Sequence, residues 1–320
     1  MKQKIGKRIL ILADNRTGLI TPILDQLEKM GYDVQYIDAQ TLDEQKKYPT
    51  FFHKLVAKLL NLGIKGKRHW GRENHICKNC NGLYDHIIVL IPAMLNSLIG
   101  QYLKGLTDDF ICILWDSLEK SPSGDVLLHI ANRVFSFDKN DCVGNIRYLP
   151  SFHLEGNSNV YQVRYDIFGI FSIDKKEDDR LSRIKSFIHS NPSMTGTIFL
   201  VNESFHEYSE KLNNITLCYK NEKIIGDELD KLIGSAKAIL DVVDSRQTGL
   251  SFRLSDAYKY KKILITDNSE VNNESWFVEN SIDISKSNSI QHILNTKKYN
   301  DVISPNSLTM WLKKVLDDKL

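Results

Sequence analysis

The chain has 320 residues, 42% of them hydrophobic and 26% charged, with a net charge of +2. That length accommodates two domains of ordinary size, and the composition excludes disordered and fibrous classes. A charge so near zero gives no reason to expect nucleic acid, and the longest apolar stretch, His86 to Leu98, falls short of the about 20 residues that a membrane-spanning helix needs.

Lys7 to Ala13 reads as a strand, Leu19 to Met30 as a helix ended by Gly31, and Tyr32 to Asp38 as a second strand, the opening of a right-handed βαβ unit. The loop from Asp14 to Gly18 holds one glycine. It is not a dinucleotide fingerprint, so no NAD or FAD site is assigned. Phe51 to Trp70 is amphipathic and basic, with Lys54, Lys58, Lys65, Lys67 and Arg68 set among Phe51, Phe52, Leu55, Leu59 and Leu60. Such a segment is either a solvated helix face or one that lies on an anionic membrane surface.

Cys77-Lys78-Asn79-Cys80 has no second CxxC or spaced His pair nearby. Zinc is therefore not expected, and a position in a polar stretch before a strand speaks against thioredoxin-like chemistry. The motif is expected to be a loop. Cys112, Cys142 and Cys218 complete the cysteines, and the chain opens on Lys-Gln-Lys rather than an apolar signal core. The expected compartment is a reducing cytoplasm.

Tyr84 to Ile91 reads as a buried strand, Leu95 to Leu103 as a helix, and Phe110 to Trp115 as a strand running into Asp116-Ser117. Val134 to Asp138 is another strand, and polar Asn157 to Tyr161 suits a linker. The alternation then repeats: strands at Val163 to Ser172, Gly196 to Val201 and Ile215 to Tyr219, with a helix over Arg180 to His189. The expected fold class is α/β, with two Rossmann-like domains at 1–160 and 161–304 and a helix over 305–320.

The most informative stretch is Ala238 to Asn268. Ala238 to Val243 and Lys262 to Thr266 are short apolar runs of strand length, and Gln247-Thr248-Gly249 with Leu250 to Tyr260 suits a turn and helix between them. In such a parallel unit the loop leaves the carboxyl end of a strand, and unpaired N–H groups and the helix dipole favour an anion there. Arg253 and Asp256 stand three residues apart, on one helix face. Arginine suits a phosphate and a short carboxylate a sugar hydroxyl; the alternative is that the two side chains pair with each other.

Gly249, Leu250, Ser251, Arg253, Asp256, Ala257, Lys261, Lys262, Ile265, Thr266 and Asn268 together resemble the donor-site segment of bacterial glycosyltransferases of the two-domain GT-B class. The resemblance is to the group similar to spore-maturation proteins, assigned to lipopolysaccharide or capsule synthesis. Trp115-Asp116-Ser117, the run Phe135 to Asp138, Asp141 and Tyr148 to Phe152 also fit that group, whereas Ala131-Asn132-Arg133 departs from it. In the wider class the acid before Ala is usually Glu and holds the ribose; here it is Asp256. Many retaining members carry a Glu eight residues earlier, where this chain has Thr248, so the stereochemistry stays open.

The resemblance implies two domains facing a cleft, with a C-terminal helix that commonly returns to the first. It implies a nucleotide-sugar donor on the second domain at Thr248, Gly249, Ser251, Arg253 and Asp256, with Ser172 to Lys176 bordering the diphosphate and Arg183 and Lys220 within reach of it. On the first domain, Asn15, Arg16 and Ser117 become acceptor-side residues, and Asp116 a general base or acceptor-orienting group; a turn or a capping role is the alternative for each, as it is for Asp138. The acceptor would be a cell-surface glycan, free or lipid-linked, reached from the cytoplasmic face by peripheral contact. No cofactor besides the donor is implied and no catalytic metal, in keeping with a chain that has no Asp-x-Asp triplet. The rival reading is a nucleotide-binding scaffold without transfer activity.

Overall fold

The computed structural model describes residues 6–44, 48–60, 62–156, 161–173, 179–286 and 290–317, with backbone alone at 43–44, 63–69, 123–124 and 286. Residues 157–160 of the expected linker and Asp174-Lys175-Lys176 of the expected diphosphate loop lie outside them. The chain divides into two units, Met1–Ser136 with Asn140–Tyr148, and Phe137–Lys139 with Leu149–Leu320.

The first unit is a parallel sheet of β1 (Arg8–Ala13), β2 (Asp33–Asp38), β3 (His86–Val89), β4 (Phe110–Leu114), β5 (Arg133–Ser136) and β6 (Ile146–Tyr148), in the order β2-β1-β3-β4-β5-β6. Its helices are α1 (Ile20–Lys29), α2 (Ala39–Glu44), α3 (Phe51–Leu59), α4 (Gly63–Asn79) and α5 (Ser97–Lys104). Central strands covered on both faces read as unbroken apolar runs rather than alternating ones. Ile9 to Ala13 and Phe110 to Leu114 are such runs, almost wholly buried. Helix α1 buries Ile20, Ile23 and Leu27 at helical spacing, and Gly31, at φ +90°, makes the turn into β2. Asn96 caps α5 by accepting from Ile99 N at 2.8 Å.

The Cys77 to Cys80 motif is not a loop but the end of a helix: α4 runs to Asn79, and Cys80 N donates to Ile76 O at 2.8 Å. The polar residues that suggested a connection form its solvated side. Burial, with the neighbouring Cys77, pushes the Cys80 thiol up to about 12, so it is an inert core group.

The second unit has the sheet order β13-β12-β11-β7-β8-β10-β9, from β7 (Tyr165–Ser172), β8 (Gly196–Val201), β9 (Tyr208–Leu212), β10 (Ile215–Lys220), β11 (Ala236–Asp241), β12 (Ile263–Thr266) and β13 (Ser281–Asp283). Every pairing is parallel except β9 with β10. Neighbouring residues point to opposite faces. Ile167, Leu240 and Ile265 therefore meet α6 (Arg180–Ser190) and α9 (Ile290–Thr296), while Phe168, Ile239 and Leu264 meet α7 (Gly226–Gly234) and α8 (Phe252–Lys259).

The second unit also takes in Leu149 onward, because His153 N donates to Asn306 O at 2.8 Å and Phe152 packs edge-on against Phe252 and Trp311. Helix α10 (Leu308–Leu316), which carries Trp311, belongs to this unit. No described helix is long and apolar enough to cross a membrane.

Candidate functional site

In open parallel sheets, ligands sit beyond the carboxyl ends of the strands, where the strand order reverses. The order of the second sheet places that reversal between β7 and β11. Beyond the end of β11 lies the stretch Val242 to Ser251, followed by α8.

The structure fixes this loop through buried carboxylates. Asp138 accepts from Thr248 N at 2.6 Å, from Thr248 Oγ1 at 2.5 Å and from Gly249 N at 3.3 Å. The N–H of Gly249, which the resemblance directs to the donor, is thus directed to an internal anion. A Cβ at Gly249 would stand 2.5 Å from the Phe137 carbonyl oxygen, so glycine is required by close backbone approach. Asn268 holds the other side, its Nδ2 donating to Gly249 O at 3.1 Å and Thr248 O at 3.3 Å.

Ser251 is the N-cap of α8, its hydroxyl oxygen accepting from Arg253 N at 3.1 Å. The same hydroxyl donates to Asp241 Oδ1 at 2.9 Å, and Thr266 Oγ1 donates to Asp241 Oδ2 at 3.2 Å. Burial pushes the Asp241 carboxyl up to about 6, against these two hydrogen bonds and the Arg253 charge.

Arg253 and Asp256 meet as an ion pair at 2.7 Å, with 22% and 20% of their side chains exposed. The facing atoms, Arg253 Nη1 and Asp256 Oδ2, are buried, and neither has an aligned hydrogen-bond partner. Burial raises the Asp256 pKa above the usual carboxylate range, with Arg253 opposing. The two side chains do pair with each other, through these two buried atoms.

Arg183, from α6, donates to Asp179 at 2.9 Å and to Val243 O at 2.5 Å and pairs with Asp267. Asp244 takes two hydrogen bonds from the Arg246 guanidinium at 2.9 and 2.8 Å and lies 3.5 Å from Arg180. Burial alone would raise its pKa, but the arginines hold it at about 2. A cavity of about 460 Å³ opens beside this network, bordered by Arg183, Phe187, Asn191, Val242, Asp267 and Ser285. Its described lining includes none of Thr248, Gly249, Ser251, Arg253 or Asp256. Lys220 is on another strand and pairs with Glu207 at 2.9 Å.

In the first unit the strand order reverses between β1 and β3, which places Asn15 and Arg16 just beyond β1. Asn15 Oδ1 accepts from Ile20 N at 3.0 Å and its Nδ2 donates to Thr21 Oγ1 at 3.0 Å, fastening the loop to α1. Arg16 Nε donates to Asp14 at 2.7 Å. Asp116 follows β4 with half its side chain exposed, and accepts from Lys120 Nζ at 2.7 Å. Ser117 is buried, and its hydroxyl oxygen accepts from Lys120 N at 3.2 Å. Asp141 holds this loop, accepting from Leu118 N at 3.1 Å and Ser136 Oγ at 2.8 Å.

Sequence reasoning did not find Lys120, Asp241, Asp244 or Arg246 as parts of these sites. Lys120 had no helical spacing to mark it, because Asp116 to Lys120 is a turn. Asp241, a carboxylate closing an apolar strand ahead of a glycine-containing loop, had a local signal.

No protein-family model matches the chain, and no curated protein sequence does. Among solved structures it is similar to the catalytic domain of starch synthase IV from Arabidopsis thaliana bound to ADP and acarbose, with a TM-score of 0.56 and 6% identity over 97% of this chain and 95% of that one. It is also similar to a T4 phage BGT mutant in complex with UDP-glucose (TM-score 0.47, 13% identity, 97% and 94% covered) and to MurG of Acinetobacter baumannii (TM-score 0.39, 11% identity, 98% and 95% covered). The first of these likenesses gives the fold class, that of two α/β units built on mostly parallel sheets; the other two add no argument.

Proposed function

We propose, from the GT-B fold class, that the chain transfers a sugar from a nucleotide-sugar donor to a glycan acceptor. The observation that carries this reading is the Arg253–Asp256 pair. It is a partly buried guanidinium and carboxylate on the first turns of the helix that follows β11 at the strand-order reversal. At that place a guanidinium suits a phosphate and a short carboxylate a sugar hydroxyl. A structure of this fold, that of starch synthase IV, is bound to ADP, which agrees with a nucleotide ligand.

In this reading 161–304 is the donor-binding domain. Arg253 faces the diphosphate, Asp256 the ribose, and Thr248, Gly249 and Ser251 shape the loop and the amino end of α8, whose dipole favours the leaving diphosphate. Because Asp138 takes the Gly249 N–H, Arg253 and the helix end carry the charge recognition. The N-terminal part, 1–160, presents the acceptor near Asn15, Arg16 and Ser117, and Asp116 acts as base for the acceptor hydroxyl once Lys120 releases it. The acceptor is a cell-surface glycan of the lipopolysaccharide or capsule kind, free or lipid-linked, reached from the cytoplasmic side with peripheral contact at the membrane face. No metal ion takes part.

The test is a thermal-shift panel of UDP, GDP, CMP, dTDP and NAD on wild type, Arg253→Ala and Asp116→Ala, with donor-sugar hydrolysis as an acceptor-independent readout. One nucleoside phosphate should raise the melting temperature of wild type and Asp116→Ala but not of Arg253→Ala. Asp116→Ala should lower turnover by about 10²-fold or more. Nucleotide binding unchanged in Arg253→Ala would remove the donor assignment, unchanged turnover in Asp116→Ala would remove Asp116 as the base, and nucleotide binding with no hydrolysis or transfer by wild type would leave a nucleotide-binding scaffold as the better reading.

A further inference from the structure

Helix α3 wears its apolar side outward. A helix on a globular domain ordinarily turns its apolar stripe to the core. Here Phe51 is 79% exposed, Leu59 76%, Phe52 68% and Leu55 45%, while the residue that is buried is Ala57. At about 100° per residue, Phe51, Leu55, Leu59 and Phe52 fall within one arc of about 100°, and Lys58 and Lys54 stand along one border of it. The opposite side is where α3 is attached, with the His53 ring 5.2 Å from that of Trp70. Thr50 caps the helix by accepting from His53 N.

An exposed apolar stripe of this kind signals a surface that something covers. The charge around it selects the occupant. Between Glu44 and Glu73 the sequence contains eight cations, Lys46, Lys47, Lys54, Lys58, Lys65, Lys67, Arg68 and Arg72, and no acid. An apolar arc bordered by lysine, inside a stretch free of acids, is the pattern of a helix lying at the boundary of an anionic bilayer: the rings and aliphatic groups enter the acyl edge and the ammonium groups meet lipid phosphates. A second copy of this chain would set these cations against their own kind.

We propose that α3 is an interfacial helix, seating Phe51, Phe52, Leu55 and Leu59 in an anionic phospholipid surface with Lys54 and Lys58 on the headgroups. The inference deepens the peripheral membrane contact of the proposed function, but it uses none of the residues assigned to donor or acceptor, so its failure would leave the sugar-transfer assignment to be judged by its own test. One short helix holds reversibly, so attachment is sensitive to salt and to lipid charge.

The experiment is co-sedimentation of the full chain with phosphatidylcholine vesicles, with and without phosphatidylglycerol, at low and high salt. The protein should bind the phosphatidylglycerol vesicles, leave them at high salt and ignore pure phosphatidylcholine. The triple variant Phe51→Ser, Phe52→Ser, Leu59→Ser should lose more than about tenfold in partitioning, and Lys54→Glu with Lys58→Glu should lose binding to the anionic vesicles. These side chains face solvent, so both variants should keep the wild-type melting temperature. Undiminished binding by the triple variant, equal binding to neutral and anionic vesicles, or no binding at low salt would each overturn the proposal. So would a concentration-dependent dimer that the triple variant dissolves, because the stripe would then be a self-association face. Should the triple variant not fold, Phe52→Trp decides: its emission should move to the blue with phosphatidylglycerol vesicles, and an unmoved spectrum overturns the proposal.

Discussion

Asp241 and Asp244 lie three residues apart at the end of β11, almost equally buried at 4% and 3% exposed, and they titrate in opposite directions. Burial pushes the Asp241 carboxyl up to about 6, because its immediate partners are the neutral hydroxyls of Ser251 and Thr266 and the Asp267 charge adds to the rise. Asp244 has Arg246 on both oxygens and Arg180 beyond, and these hold it at about 2. Burial sets the cost of a charge here, and the partner decides whether the charge is kept. Asp244 is a fixed anion that anchors two arginines. Asp241 is a carboxyl that changes charge beneath the N-cap of the helix assigned to the donor.

The largest effect should come from Asp244→Asn. It leaves Arg246 and Arg180 facing a neutral amide, and removing one partner of a buried pair costs about 3–5 kcal/mol. Urea unfolding at pH 7 measures it. For wild type, a folded pKa of about 2 against the unfolded 3.8 means that this stability is present above about pH 4 and is lost as pH falls toward 2; the variant should show no such loss. A cost below about 1 kcal/mol would mean that the arginines find water instead, and the contrast with Asp241 would collapse.

Asp241→Asn should act the other way. The folded pKa of about 6 lies above the unfolded 3.8, so the folded state holds the proton more tightly and the group's contribution is full below about pH 4. As pH rises through 6 it declines by about 3 kcal/mol. Asparagine mimics the neutral form: its oxygen accepts from Ser251 and its amide can donate to Thr266. The variant should therefore match wild type at pH 4 and exceed it at pH 7.5. Stability curves measured across that range settle it; a decline that persists in the variant belongs to another group.

Little of this pairing was legible in the sequence, although the elements that carry it were. The apolar runs at Ala238 to Val243 and Lys262 to Thr266 announced β11 and β12, since strands covered on both faces must be apolar throughout. The loop between them was marked by Gln247-Thr248-Gly249 and the helix by Leu250 to Tyr260; that Ser251 caps it came from the structure. Tyr208–Leu212 escaped notice because β9 pairs only with β10 and its Tyr-Ser-Glu-Lys-Leu sequence is mostly solvated. The Cys77 to Cys80 motif was misplaced because polar helix ends and polar loops have similar composition. In the candidate site, Arg253 and Asp256 were found by their spacing, a local signal. Asp138 lies 110 residues before Thr248, and no local pattern brings the two together.

Ser251→Ala should give the smallest effect and sharpen the contrast most. The hydroxyl both caps α8, accepting from Arg253 N, and donates to Asp241. Losing the cap costs about 1 kcal/mol at any pH. Losing the donor removes a bond that lowers the Asp241 pKa, so its folded pKa should rise further above 6 and the window in which stability falls with pH should extend upward. Asp244 makes no contact with this hydroxyl among its hydrogen bonds to Arg246, so the acid limb near pH 2 should stay where it is. Stability measured from pH 2 to 9 separates the two limbs. Movement of the upper limb alone would tie the charge of Asp241 to the cap of the donor helix; movement of neither would show that burial by itself fixes the Asp241 carboxyl.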